Sequence, residues 1–159
     1  MPAMKLRKAF CLIFLLSCLA ASAPAQRKGQ FDHLKTWANE SSSRFQGRRE
    51  VSFFMLPEIR RPLTKLLGRR RFTRLRATFE LEKPIEIISG YLVLEGWQRQ
   101  TAPPGYKNFA EPYQHAVVAV GLDDGSIHVG ILNGGRQEWY STKGKYTDLV
   151  YDIQDRIKS

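Results

Sequence analysis

Cysteine is almost absent from this chain. There are two, Cys11 and Cys18, and both fall within the first 25 residues. From Gln26 onward there is no thiol. That excludes a disulfide, a thiolate metal site and a cysteine nucleophile in that part of the protein. Histidine is scarce as well. His33, His115 and His128 lie far apart, and no two have ligand spacing on a helix, so no metal site is expected. Acid is outnumbered by base, 15 residues to 25, for a formal net charge of +10. Asp123-Asp124 is a turn with too few oxygen ligands around it for calcium. There is no glycine loop that would cradle a phosphate, no internal repeat and no low-complexity tract. Nothing calls for a cofactor.

No apolar run is long enough to span a bilayer. The longest, Ala9 to Ala20, follows Lys5, Arg7 and Lys8 and precedes Ala23-Pro24-Ala25. A basic start, a short apolar core and a small-x-small site make a signal peptide over residues 1–25. The expectation is an exported protein, periplasmic or secreted, with one domain over 26–159 and no transmembrane span once the leader is gone. A second reading is open, because Leu15-Leu16-Ser17-Cys18 has the form of a lipoprotein cleavage box. A lipid on Cys18 would tether the domain to a membrane. The leader holds three of the basic residues and no acid, leaving 22 against 15 and a charge of +7 for the domain. Such a balance favours anionic partners.

The strongest structural signal is His115 to Thr142. It reads as three strands joined by two tight turns, Asp123-Asp124-Gly125 and Asn133-Gly134-Gly135, with residue types that tolerate the positive φ of hairpin turns. Apolar residues alternate along each strand. Upstream, Ile85–Ser89 and Tyr91–Gly96 are β-rich and flank Gly90, as one bent strand or a tight hairpin. Phe31, Leu34, Trp37 and Ala38 follow helical spacing, giving a short helix over 32–39. Arg44–Glu50 reads as a loop. Pro57 can open a helix, Pro62 suits the start of the following turn, and Gly68 is a natural stop. Phe72, Leu75 and Phe79 then space as a second helix over 69–78. A strand reading competes there through Leu75, Ala77, Phe79 and Leu81. At the end of the chain Leu149, Ile153 and Ile157 share a helical face. The expected fold is α+β, a four- to five-stranded antiparallel meander with helices packed on one face. The other face stays open to solvent or to a partner.

Three constellations bear on function. The first is basic: Arg60, Arg61, Lys65, Arg69, Arg70, Arg71, Arg74 and Arg76 occupy one 17-residue stretch without an acid. It reads either as a polyanion-binding surface or as a solvated helix face whose arginine stems cover apolar surface. No sequence-specific nucleic-acid reader is recognisable. The second is the segment from Trp97 to Tyr113, with Pro103-Pro104 and Pro112. Trp97, Arg99, Tyr106, Phe109, Tyr113 and the adjoining His115 are candidate contact residues of a projecting loop. The same aromatics could instead fold back onto the sheet. The third pairs His115 with Asn133 across two strands, as in papain-like hydrolases. That mechanism needs a thiolate, which residues 26–159 lack. Glu80, Glu82 and Glu86 read as strand-edge carboxylates. Catalytic residues are not expected, and the protein is read as a non-enzyme.

"LLGRRRF", "GYLVLEG", "AVVAVGLDDGSIHVGILNGG", "EWYST" and "LVYDIQDRI" appear here in that order. Over Leu63 to Ile157 the chain resembles a family of short exported bacterial proteins without an assigned function. The layout is also similar to the periplasmic inhibitors of vertebrate lysozyme, which push one loop into the enzyme's cleft. In that family the loop carries a cysteine-bracketed histidine. Here the corresponding segment, 97–115, has no cysteine, and no inhibitory residue transfers. A +7 domain would also be repelled by a basic enzyme. The basic stretch points to a protein that acts by binding an anionic envelope component. The inhibitor resemblance implies the alternative, a protein inhibitor of an envelope-degrading hydrolase, acting on that protein target through the 97–113 loop.

Overall fold

The structure, a computed structural model, describes residues 29, 31–98 and 114–156. The expected signal peptide over 1–25 with Cys11 and Cys18, and Arg99, Tyr106, Phe109, Tyr113 and Ile157, lie outside the described residues.

A 3₁₀ helix, Asp32–Trp37, leads into a hairpin of β1 (Ser43–Gln46) and β2 (Arg49–Ser52). Helix α1 spans Pro57–Thr78. Strands β3 (Leu81–Glu82), β4 (Glu86–Ile88), β5 (Tyr91–Gln98), β6 (Gln114–Gly121), β7 (Ile127–Asn133) and β8 (Arg136–Ser141) form one antiparallel six-stranded sheet. Its order is β3-β5-β6-β7-β8, with β4 also on β5. A 3₁₀ turn, Tyr146–Asp148, and helix α2, Tyr151–Asp155, close the described chain. The protein is thus α+β with antiparallel sheets.

Local chemistry explains most of these boundaries. The β4–β5 turn is Ser89-Gly90, both at positive φ, 49° and 83°, as a two-residue primed turn requires. Strands β3 and β4 pair with successive parts of β5, Leu81 opposite Trp97 and Glu86 opposite Val93. Pro84 separates them, because it has no N–H to give to the ladder. In α1, Pro57 takes the first turn, where its missing N–H costs nothing. Pro62 lies inside the helix and does not start a new turn. Gly68 breaks the helix, with φ 74° and ψ 161°, and the chain resumes helical form through Thr78. The helical spacing of Phe72 and Leu75 therefore prevails over the strand alternation.

Three expectations are corrected. Arg44–Glu50 is not a loop. It makes most of the β1–β2 hairpin, with Gly47 at positive φ. The large sheet has six strands. And its second face is not open. Leu92, Leu94, Ala116, Val118, Val120, Ile127 and Val129 point to one side, under Ile59, Leu63, Leu67, Phe72 and Leu75 of α1. Val93, Val117 and Ala119 point to the other, where Leu149 and Ile153 from the C-terminal segment cover them. Trp139 stacks on Tyr146 there, at 3.6 Å between ring centroids. Burial, with Asp155 nearby, pushes the Tyr146 phenol up to about 12. Strand β6 is consequently buried along its whole length. Covering both faces takes every β6 side chain out of water, which suits its near-continuous Ala and Val content.

Candidate functional site

All eight basic residues of the 60–76 stretch are on α1, and all are exposed. The apolar residues at helical spacing turn inward, and Ile59, Leu63 and Leu75 are fully buried. The cations are left on the outer surface by the same periodicity. Among the described residues none of the eight forms an ion pair. A groove of about 980 Å³ runs along α1 on both sides of Gly68. Arg60, Arg61, Lys65, Arg69 and Arg76 line it, with Met55, Pro57 and Phe72 adding apolar surface. A second groove of about 610 Å³ lies between α1 and the end of β8 and shares Arg61 and Lys65 with the first. Arg71 lies over the Tyr140 ring, 5.8 Å from its centroid. The bond from Tyr140 and the nearby charges of Arg136, Arg71 and Arg74 hold the Glu138 carboxyl below the usual carboxylate range. At the start of α1, burial alone would raise the Glu58 carboxyl, but His33 Nε2 at 2.7 Å and a backbone hydrogen bond together outweigh it and the net shift is downward.

Sequence reading missed a second cluster. Glu95 on β5 is 3% exposed. Lys83 Nζ is 2.9 Å from its Oε2, Arg156 Nη1 is 3.1 Å from the same oxygen, and His115 Nε2 is 3.3 Å from Oε1. Arg156 also holds Glu86 Oε2 at 2.7 Å. The His115 ring lies flat on Trp97, with centroids 4.9 Å apart and planes 2° from parallel. Burial pushes the Glu95 carboxyl up, but His115 and Lys83 more than offset it, so the group stays ionised. Four separate parts of the chain meet on this carboxylate. The available signal was one acid inside the apolar run of β5, LVLEGW. An ionised carboxylate satisfied by two cations is an anchor, not a general acid.

The papain-like pairing does not form. His115 lies opposite Leu132, and Asn133 lies opposite Arg136. The one-residue difference from the expected register puts Asn133 on the other face of the sheet. His128 and Ser141 do meet, Nδ1 to Oγ at 3.0 Å. The serine hydroxyl donates to the Lys143 carbonyl at 2.5 Å, so its proton is committed to the backbone. Burial lowers the His128 pKa, against the opposing charges of Asp124 and Asp148, which favours the neutral ring. This is a structural pair. Glu82 accepts from the Ser42 amide at 2.9 Å, and Glu86 is held by Arg156. Of the loop residues singled out in the sequence, the described Trp97 and His115 belong to the Glu95 cluster, and His115 is buried. Among the described residues no group of three His, Cys, Asp or Glu could hold a metal ion, and no helix is long and apolar enough to cross a membrane.

No protein-family model, curated protein or solved structure matches this chain.

Proposed function

We propose that the protein is an exported, non-enzymatic binding module of the bacterial envelope, and that α1 is its working surface. The partner is an anionic envelope component. One observation carries the reading: Arg60, Arg61, Lys65, Arg69, Arg70, Arg71, Arg74 and Arg76 are all exposed on one helix, with no acid in that stretch and no ion pair among the described residues. Eight cations together repel one another, and that repulsion is relieved when an anionic partner replaces their counterions. The sheet side of α1 supplies a rigid platform, because Leu63, Leu75 and Ile59 fix it in the core.

The test is binding of the chain from Gln26, the form leader cleavage would leave, to lipopolysaccharide, anionic vesicles and DNA. It is run at about 50 and 200 mM salt, a span over which contacts to several phosphates lose orders of magnitude in affinity. Retention should fall steeply with salt and vanish on replacing Arg69, Arg70 and Arg71 with Glu. Salt-independent retention, or retention unchanged by the triple reversal, rejects α1 as the surface.

A further inference from the structure

The eight cations of α1 are not equivalent. Arg60, Arg61, Lys65, Arg69 and Arg76 line the groove of about 980 Å³, and Arg70, Arg71 and Arg74 do not. Arg71 lies against Tyr140, and the charges of Arg71 and Arg74 act on Glu138. Part of their charge is already answered within the protein. Among the described residues no acid lines the groove. Cationic walls around a concavity focus the field into it, more than the same charges on a convex surface. The volume is at the upper end of small-molecule sites, which run to about 1,000 Å³. The groove also spans the break at Gly68, whose φ of 74° and ψ of 161° fall in a region that essentially only glycine enters. Both halves of α1 therefore contribute walls to one concavity.

We infer that this groove is a discrete site for one compact ligand bearing at least two phosphate groups on a small apolar body. The inference rests on the anion-binding reading of α1 and narrows it from a surface to a site. Charge sets the phosphate number. A phosphate monoester carries about −1.5 to −2 at neutral pH, so two such groups answer most of the charge of the five cations and about three balance it. Guanidinium forks hold phosphate oxygens in pairs. Met55, which is exposed, gives the body of the ligand an apolar contact. The shared chemistry is a clustered phosphate, and it can be free in solution or held in a membrane headgroup.

The experiment compares two pairs of substitutions that each remove two charges from exposed positions of α1. Arg61→Gln with Lys65→Gln alters the groove, and Arg71→Gln with Arg74→Gln alters its flank. Binding of inorganic tripolyphosphate is measured by calorimetry. Flotation with phosphatidylcholine vesicles, with and without phosphatidic acid, gives the membrane arm. Far-UV circular dichroism checks the fold, and Arg60→Gln with Arg69→Gln is the second groove pair. The groove pairs should each weaken tripolyphosphate binding at least tenfold, and the flank pair less than twofold. The same asymmetry on phosphatidic acid vesicles places the ligand in a membrane, and asymmetry with tripolyphosphate alone places it in solution. Equal weakening by groove and flank pairs overturns the site and leaves the diffuse surface standing. Failure of the wild-type protein to bind either probe overturns both.

Discussion

Replacing Glu95 with Gln tests whether the buried carboxylate cluster holds the C-terminal segment on the sheet. The substitution keeps the shape and removes the charge. Breaking a buried ion pair costs about 3–5 kcal/mol when the surviving partner is stranded. Here the survivors are not fully stranded. Lys83 is 51% exposed and turns to water, and Arg156, at 21%, keeps Glu86 at 2.7 Å. Exposed pairs are worth well under 1 kcal/mol, so the loss should be about 2 kcal/mol at neutral pH, mostly from Arg156 and the buried site itself. Urea denaturation reads this as a midpoint shift of about 1 M for a slope near 2 kcal/mol/M. The pH dependence is a second readout. The folded-state pKa of Glu95 lies below its ordinary value. Between the folded and unfolded values the unfolded chain binds more protons, so stability rises with pH across that window. The contribution is fully present above the unfolded pKa and is lost as pH falls through the folded one. Wild type and Glu95→Gln should therefore converge in stability in acid and separate at neutral pH. A variant as stable as wild type at pH 7, or a gap that persists unchanged at pH 2, would refute the assignment of Glu95 as an ionised anchor.

Two further outcomes follow from packing. A Cβ on Gly96 would sit 2.5 Å from the Phe79 ring, which is itself wedged on Phe54 at 4.8 Å. Gly96→Ala should cost about 2–3 kcal/mol by overpacking, and adding Phe79→Leu should recover part of it in a double-mutant cycle; simple additivity would place the strain elsewhere. Ile153, 1% exposed, covers the second sheet face. Ile153→Ala should cost about 2–5 kcal/mol in chemical denaturation, whereas a change near zero would mean that this face does not depend on the C-terminal segment.

Much of the architecture was legible because it is locally encoded. Gly125 and Gly134-Gly135 mark their turns by positive-φ chemistry, Gly90 marks a break that is either a bend or a hairpin, and period-two alternation marks β6 to β8. The basic face of α1 follows from helical periodicity alone. The β1–β2 hairpin was not legible. Its strands are mostly exposed, Phe45 stands 76% in solvent, and no apolar alternation separates it from a loop. The Glu95 cluster was only half legible. An acid within an apolar strand is visible, but its partners Lys83 and Arg156 are 12 and 61 residues away. The register at His115 was out by one residue, because four residues, Leu122 to Gly125, link β6 to the Ser126 carbonyl that accepts from the Gly121 amide, and not three residues alone.

By itself, then, the sequence determined the turns and alternating strands of 115–142, the glycine break at 68 and the cationic stretch, while helix and strand still competed over 69–78. Each depends on contacts among neighbours a few residues apart. Tertiary structure alone decided that β6 is buried on both faces, that Leu149 and Ile153 close the second face, and that Glu95 gathers Lys83, His115 and Arg156. It also decided which cations of α1 share a groove. These features depend on how distant segments exclude water together, and desolvation is a property of the assembled surface that no short stretch of residues carries.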